Sequence, residues 1–254
     1  MNTNRLIVQI SDCHLPANPE QTYRGINPHR CLEALIPRVK ALKPELLLAT
    51  GDLSEDGSRA SYRALQEIFG RLGIPVLALP GNHDDPERLA KAFPGSPVNT
   101  IEVSTHGAWQ IVRLNSCLPG KPEGRLSETT LVGLEKFLKQ HRQSPTIIAL
   151  HHQPFDIGSP WIDKYRLFSS QAFLRLLDQN PNIRAVAWGH IHQVFEANRN
   201  GTIMLGCPSS AINGLSDAPR FTADTTGPAC RWLELREDKT LLSGIIQARG
   251  VKES

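Results

Sequence analysis

The stretch Gly81-Asn82-His83-Asp84 decides how the rest of the chain is interpreted. It follows an apolar run that ends at Leu79-Pro80 and precedes Asp85-Pro86-Glu87, a pattern typical of a helix N-cap and first turn. We therefore expect the tetrad to lie in a turn between a β-strand and an α-helix. Open α/β sheets carry their chemistry at such turns. With an amide, an imidazole and a carboxylate together, the tetrad is predicted to be part of an active site.

Four more polar clusters occupy the same position, directly after apolar runs. They are Asp12-Cys13-His14, Gly51-Asp52, His151-His152 and Gly189-His190-Ile191-His192. Divalent metals that activate water are held by carboxylate, imidazole and amide groups, and two-metal sites need a carboxylate between ions about 3.5 to 4 Å apart. Each cluster alone is weak evidence, because an Asp at a strand end can also be an ordinary turn or cap residue. Together they predict a two-metal site.

Strand and helix patterns alternate in the first half of the chain. Strands are predicted at 5–10, 46–49 and 75–79, with helices beginning at Asn27-Pro28 and Ser58. This alternation favours a parallel sheet with right-handed crossovers.

The second half is richer in strands. A helix is predicted to begin at Ser127 and another at Ser169 or Ser170. A polar segment at 207–227, dense in Ser, Pro and Gly, is predicted to be a long active-site loop. Strands are predicted at 99–103, 109–114, 146–150, 183–188, 194–197, 203–206, 230–235 and 241–247.

Composition favours one globular domain. A chain of 254 residues that is 40% hydrophobic can bury a full core, and we expect a single domain over 1–254, with site motifs at 12–192 and a strand-rich C-terminal part at 193–250. The net charge of +3, with scattered Lys and Arg, argues against dedicated nucleic-acid binding. No stretch approaches the roughly 20 apolar residues of a membrane span, so we expect no membrane partner. Five cysteines without a CxxC pattern predict free thiols in a reducing compartment, and hence a soluble cytoplasmic protein.

The ordered clusters resemble the calcineurin-like metallophosphoesterase superfamily, and within it the bacterial class III cyclic-nucleotide phosphodiesterases. The stretch Ser159-Pro160-Trp161-Ile162-Asp163 and the loop that begins Cys207-Pro208-Ser209-Ser210 also look like that group. One departure is Gln153-Pro154, where the usual sequence has two prolines after the His pair. The resemblance implies a four-layer α/β/β/α sandwich of two mixed sheets flanked by helices.

The resemblance also implies a role for each polar residue. It implies that Asp52 bridges two metal ions. It implies that His83 is not a ligand and sits over the leaving oxygen, where it donates a proton or stabilises charge. Asn82 and His83 would contact the substrate. A hydroxide shared by the metals would attack phosphorus in line. Iron and manganese are the expected metals, and zinc or cobalt also suit N/O ligands. The remaining ligands would be Asp12, His14 and His192 for one metal, and Asn82, His151 and His190 for the other.

Several neighbouring residues keep two interpretations. Either Glu55 or Asp56 could pair with His83, and Asp84 could support the site or cap the helix near Pro86. His152 should face away from His151, so a core or supporting role is favoured over substrate contact. Neighbouring side chains point to opposite faces of an extended backbone, so Cys13 should point away from Asp12 and His14 and is expected to be a buried thiol.

The implied reaction is hydrolysis of 3′,5′-cyclic AMP, a small-molecule cyclic nucleotide, to 5′-AMP. The alternatives are a broad phosphodiesterase or phosphomonoesterase acting on other nucleotides or glycerophosphodiesters, and a non-catalytic scaffold of the same fold. A scaffold is disfavoured because such proteins typically lose ligands or the acid, whereas this chain keeps them all. Candidates for the rim of the substrate pocket, each also common as a surface or packing residue, are Arg24, Arg63, Trp161, Tyr165, Phe195 and Arg220.

Overall fold

A computed structural model of the chain describes residues 4–168 and 170–248. Within these ranges the chain forms helices and strands in the following order. They are β1 (Arg5–Ile10), α1 (Pro28–Ala41), β2 (Leu46–Thr50), α2 (Arg59–Gly70), β3 (Val76–Leu79), α3 (Pro86–Ala92), β4 (Ile101–His106), β5 (Trp109–Leu114), β6 (Gly124–Arg125), α4 (Glu128–Gln140), β7 (Thr146–Ala149), α5 (Pro160–Asp163), β8 (Leu167–Phe168), α6 (Gln171–Gln179), β9 (Ile183–Trp188), β10 (Phe195–Arg199), β11 (Thr202–Gly206), β12 (Ala229–Leu235) and β13 (Leu241–Gln247).

The larger strands form two mixed sheets. One has five strands in the order β13-β12-β1-β2-β3, in which β1, β2 and β3 are parallel and β12 and β13 are antiparallel to their neighbours. The other has six strands in the order β10-β11-β9-β7-β5-β4, with four central parallel strands and an antiparallel strand at each edge. The expected pair of mixed sheets is confirmed.

Alternating side chains of the central strands enter two different cores. In β1, Ile7 packs between the sheets, whereas Val8 and Ile10 pack under α1 and α2. In β7, Ile147 packs between the sheets and Ile148 packs under α4 and α6. Burial on both faces explains why these strands are continuous apolar runs in the sequence. Helix, sheet, sheet and helix therefore form four layers, as expected.

The predicted helix starts agree with the observed caps. Asn27, Ser58 and Ser127 each accept a hydrogen bond from a backbone N–H two or three residues into the helix. Ser170 precedes α6 but makes no side-chain cap bond, and Ser169 lies outside the described residues. The short elements β6, α5 and β8 escaped prediction because two to four residues carry no readable periodicity. No helix in 4–168 or 170–248 is long and apolar enough to cross a membrane.

Candidate metal centre and active site

The five polar clusters meet where parallel strands of both sheets end. Residues following β1, β2 and β3 face residues following β7 and β9. The ligand atoms of Asp12, His14 and His192 lie within 4.8 Å of one another, and so do those of Asp12, Asp52 and His151. The carboxyl ends of parallel strands thus bring together side chains that are up to 180 residues apart in the sequence.

Asp52 lies between the two groups of histidines. Its Oδ2 atom is 3.3 Å from His151 Nε2 and 3.8 Å from His14 Nε2. Within the group of Asp12, His14 and His192, the His192 Nε2 atom is 3.2 Å from His14 Nε2 and 3.4 Å from Asp12 Oδ1. Burial acts to raise the pKa of Asp52, but His151 and the other nearby imidazoles outweigh it and hold the pKa well below its usual range. Asp52 is therefore a buried anion shared by both groups.

Each of the four candidate histidine ligands has one ring nitrogen, the one facing away from the centre, held by a hydrogen-bond acceptor. A carbonyl or carboxylate oxygen only accepts, so the imidazole nitrogen facing it donates, and the neutral ring keeps its lone pair on the inward nitrogen. The pairs are His151 Nδ1 with Thr50 O at 2.8 Å, His192 Nδ1 with Ile212 O at 2.7 Å, His190 Nε2 with Tyr165 O at 3.1 Å and His14 Nδ1 with Glu55 Oε2 at 2.7 Å.

The inward atoms lack the partners that buried polar groups require. His14 and His192 point lone pairs at each other over 3.2 Å, which cannot be a hydrogen bond when both rings are neutral. Within the part of the chain that the structure describes, Asn82 Oδ1 and His151 Nε2 are buried without a hydrogen-bond partner. Cations would satisfy all of these atoms, and the mixture of carboxylate, imidazole and amide suits manganese, iron, zinc or cobalt. The residues present therefore fit a metal centre.

The backbone at the centre is left-handed at five of the candidate ligands. Asp12, His14, Asp52, His190 and His192 have φ between 47° and 66°. This conformation is uncommon for residues other than glycine and is costly unless the surroundings enforce it. Asp12 and His14 therefore do not lie on extended backbone, although both side chains reach one group.

Two motif glycines permit the close approach of these loops. A Cβ on Gly81 would overlap the backbone nitrogen and the carboxylate of Asp52. A Cβ on Gly189 would overlap Ser11 Oγ and lie 2.7 Å from Asp12 Oδ2. Glycine is required at both positions because backbone and ligand side chains occupy the space of a side chain.

Glu55, and not Asp56, pairs with His83. Its Oε2 atom is 3.2 Å from His83 Nδ1 and 2.7 Å from His14 Nδ1. Asp56 instead accepts bonds from the backbone N–H groups of Ala17 and Ser58. Burial acts to lower the pKa of His83, but the Glu55 hydrogen bond and the Asp52 charge outweigh it and raise the pKa to about 9. His83 is therefore an imidazolium at neutral pH in the metal-free protein.

Asp84 supports the loops that follow β2 and β3. Its partly buried side chain accepts hydrogen bonds from the backbone N–H groups of Leu53, Ser54 and Gly81 at 2.9 to 3.2 Å. The interpretation of Asp84 as a helix cap is wrong, because Asp85 caps α3 by accepting from Arg88 N. Asp84 thus fixes the loop positions without contacting His83 through any hydrogen bond in the described residues.

His152 and Cys13 are buried, as expected. His152 is fully buried, with Nδ1 2.8 Å from Ser116 Oγ and its ring 4.6 Å from that of His190. Burial lowers the pKa of His152 to about 3, so it stays neutral. Cys13 has no exposed surface. Both side chains pack behind the centre.

A cavity of about 260 Å³ opens over the centre. Four of the six predicted rim residues line it, namely Arg24, Trp161, Tyr165 and Arg220. Arg63 lies on α2 outside this cavity, and Phe195 packs against Phe155 and Trp188. The sequence prediction missed Tyr23, Lys164 and Phe221. The available signal for Phe221 was a single aromatic residue within the polar segment 207–227.

Two kinds of comparison place this architecture among known proteins. The calcineurin-like phosphoesterase family matches residues 5–194, and the chain belongs to that family. It is accordingly a metal-dependent phosphoester hydrolase, as the motifs predicted. A dimetal phosphatase from Danio rerio shares the fold, with a TM-score of 0.66, 15% sequence identity and coverage of 96% of this chain and 99% of that one.

Curated relatives match nearly the whole chain. It is 35% identical to the 3′,5′-cyclic adenosine monophosphate phosphodiesterase CpdA of Pseudomonas aeruginosa, over 94% of this chain and 89% of that protein. It is 38% identical to a 3′,5′-cyclic-nucleotide phosphodiesterase of Nostoc sp., over 92% of this chain and 89% of that protein. The Escherichia coli K12 CpdA is 33% identical over 94% of this chain and 88% of its own length.

Proposed function

We propose that this chain is a 3′,5′-cyclic-nucleotide phosphodiesterase that hydrolyses cAMP to 5′-AMP. The observation that carries the proposal is the pair of histidine groups around Asp52, with inward lone pairs that metal cations would satisfy and with His83 beside them. The names of relatives that match about nine-tenths of the chain supply the substrate.

The proposed centre holds two metal ions, with iron and manganese as the favoured pair. Asp52 would serve both, because its Oδ2 atom lies 3.3 Å from His151 Nε2 and 3.8 Å from His14 Nε2. When bound, the metals would lower the pKa of water and offset charge on the phosphate oxygens. The other ligands are Asp12, His14 and His192 on one side, and Asn82, His151 and His190 on the other.

His83 is proposed to deliver the proton that the leaving 3′ oxygen needs. Glu55 occupies its Nδ1 side, which leaves Nε2 as the donor toward the cavity that His83 lines. The carboxylate of Glu55 stabilises the protonated ring and acts to raise the pKa of His83. The backbone N–H of His83 also donates to Asp52 Oδ1 over 2.8 Å, which fixes the His83 backbone relative to the centre. Asn82 and His83 are the residues proposed to contact the phosphate.

The test is turnover of cAMP and of bis(p-nitrophenyl) phosphate by protein reconstituted with Mn, Fe, Zn or Co. We expect both diesters to be hydrolysed and 5′-AMP to be the cAMP product. Hydrolysis of the model diester with no reaction of cAMP at any metal would refute the substrate. A His83→Ala variant should keep its metals, measured by elemental analysis, and lose about 100-fold or more in kcat. Full activity in that variant would refute the acid role.

A second candidate is a broader phosphoesterase that also accepts monoesters. The observation in its favour is that three cations, Arg24, Lys164 and Arg220, line the cavity, and a phosphate dianion favours additional cationic groups. Comparison of p-nitrophenyl phosphate with bis(p-nitrophenyl) phosphate separates the candidates. A higher kcat/KM for the monoester would favour the broader enzyme.

A further inference from the structure

A tight turn holds Arg24 at the mouth of the cavity. Tyr23 and Ile26 exchange two backbone hydrogen bonds of 2.8 and 3.1 Å, and the two residues between them have φ of 49° for Arg24 and 88° for Gly25. Positive φ at both central positions defines a type I′ turn, which favours Asn, Asp or Gly at the first of them. An arginine kept in this uncommon conformation indicates that the position of its side chain matters.

Tyr23 connects this turn to the metal centre. Its ring stacks on that of His14, with centroids 4.1 Å apart and planes at 11°. Its hydroxyl accepts a hydrogen bond of 3.0 Å from Arg24 Nε. The guanidinium therefore has a fixed position relative to a proposed metal ligand.

Phe221 is held on the opposite side by a small hairpin in the 207–227 loop. Leu215 N donates to Thr222 O over 2.8 Å, and Trp161 Nε1 donates to Leu215 O over 3.2 Å. The Phe221 ring packs edge-to-face on Trp161, with centroids 5.1 Å apart. A Cβ on Gly214 would lie only 3.1 Å from the Phe221 ring, so that ring rests directly on the backbone. Phe221 thus has a rigid support.

The two residues stack directly on each other in the lining of the cavity. The Arg24 guanidinium carbon lies 4.0 Å from the centroid of the Phe221 ring. No carboxylate forms an ion pair with Arg24 in the described chain, so a planar cation and an aromatic ring face the cavity together. Nucleobases stack on aromatic rings and on arginine guanidinium planes.

We propose that Arg24, backed by Phe221, forms a nucleobase-stacking subsite, so that this cavity takes a nucleoside phosphate with its phosphate on the metal centre and its base on the guanidinium face that points away from the Phe221 ring. The inference rests on the proposed function, since it supplies the base recognition that a cyclic-nucleotide phosphodiesterase requires. The proposal assigns Arg24 to the base and not to the phosphate. The Arg24 guanidinium stacks on the Phe221 ring, and that ring in turn contacts Trp161 and His192 edge-to-face.

A neighbouring cavity does not offer the same chemistry. It has a volume of about 650 Å³ and begins beyond Asn82, where Asn115, Arg125 and Ser127 are among its lining residues. None of the described residues that line it is aromatic. A base placed there would find hydrogen-bonding groups but no ring on which to stack.

The test compares the binding of 5′-AMP and ribose 5-phosphate to metal-reconstituted protein by calorimetry. The two probes share a phosphate and a ribose, so the ratio of their Kd values isolates the base. We expect the wild type to bind 5′-AMP about tenfold more tightly or better, the range that base stacking supplies. Arg24→Ala and Phe221→Ala should each remove most of that preference and leave the Kd of ribose 5-phosphate within about twofold. Phe221→Tyr should retain it.

Matched controls are available on the same chain. Arg63→Ala removes an exposed arginine of α2, and Phe168→Ala removes an exposed phenyl ring, both outside the cavity lining. Both controls should keep the wild-type preference. Equal weakening of the two probes by Arg24→Ala would overturn the subsite, since Arg24 would then hold the phosphate. An unchanged preference in both cavity variants would place the base elsewhere and also overturn it.

The binding test is separate from the test of the proposed function. It needs no turnover, so a base preference that depends on Arg24 and Phe221 can be established even if cAMP is not hydrolysed. Conversely, cAMP turnover that proceeds with the wild-type KM in both variants refutes the subsite and leaves the proposed function intact. Thermal unfolding of each variant shows whether it is folded, and Phe221→Tyr preserves the ring if the alanine variant is not.

Discussion

Replacing Glu55 by Gln tests how one carboxylate supports two histidines. Glu55 Oε2 lies 2.7 Å from His14 Nδ1 and 3.2 Å from His83 Nδ1, and its side chain is 26% exposed. Its pKa is about 2 because the bonds to His14 and His83 outweigh the opposing effect of burial, so it is an anion throughout the working pH range. A hydrogen bond to a charged group contributes about 1.5 to 3 kcal/mol, and partial exposure reduces this toward the lower end.

The expected result of Glu55→Gln is a shift in the pH dependence of kcat/KM. Removing the anion disfavours the protonated ring, because the Glu55 hydrogen bond and charge both raise the pKa of His83, so that pKa should fall. The pH at which activity declines on the alkaline side should therefore move down by about one unit, equivalent to about 1.4 kcal/mol. The amide oxygen of Gln can still accept from His14 Nδ1, but without the negative charge, so metal binding should weaken by about tenfold.

The assay is a pH profile measured at saturating metal, with metal affinity measured separately. Asp56→Asn is the matched control, because it removes the adjacent carboxylate, which contacts backbone N–H groups of Ala17 and Ser58 and not His83. A Glu55→Gln profile that coincides with the wild type, or an equal shift in Asp56→Asn, would refute the assignment of Glu55.

Further expectations concern packing around the centre. Gly189→Ala should reduce metal binding and lower the melting temperature, because its Cβ would overlap Ser11 Oγ; a wild-type metal content would contradict this. Ser209→Ala should lower the free energy of unfolding in urea by about 1 to 3 kcal/mol. The buried Ser209 hydroxyl donates to Asp12 O and accepts hydrogen bonds from two backbone N–H groups. Ser216→Ala, at an exposed position of the same loop, is the control and should leave the free energy of unfolding unchanged. Chelation of the metals should lower the melting temperature, because metal ions that bind only the folded state stabilise it; an unchanged melting temperature would count against an occupied centre.

The sequence was sufficient to predict which polar side chains meet at the ends of the parallel strands. Ligand candidates such as Asp52 and His190 directly follow apolar runs, and the ends of parallel strands converge whatever the loop details are. The same logic recovered the caps at Asn27 and Ser58, which depend on local backbone hydrogen bonds.

Other features depend on tertiary contacts that no local pattern encodes. Left-handed φ at Asp12 and His14 is imposed by the loop after β2, whose carbonyl groups accept from the backbone N–H of both residues. Glu55 and Asp56 are adjacent, so sequence spacing could not decide which of them faces His83. Phe221 reaches the cavity only because a long loop folds back over Trp161, and loop paths of this length are not readable from periodicity.

Conversion of cAMP by protein of defined metal content is the most direct test of the proposed activity. Metal-free protein would be titrated with manganese, and bound metal and 5′-AMP formation would be measured on the same samples. The account predicts two metal ions per chain and 5′-AMP as the product, with turnover that depends on the second ion and is lost in Asp52→Asn. A fully loaded protein that leaves cAMP unchanged while hydrolysing bis(p-nitrophenyl) phosphate would contradict it.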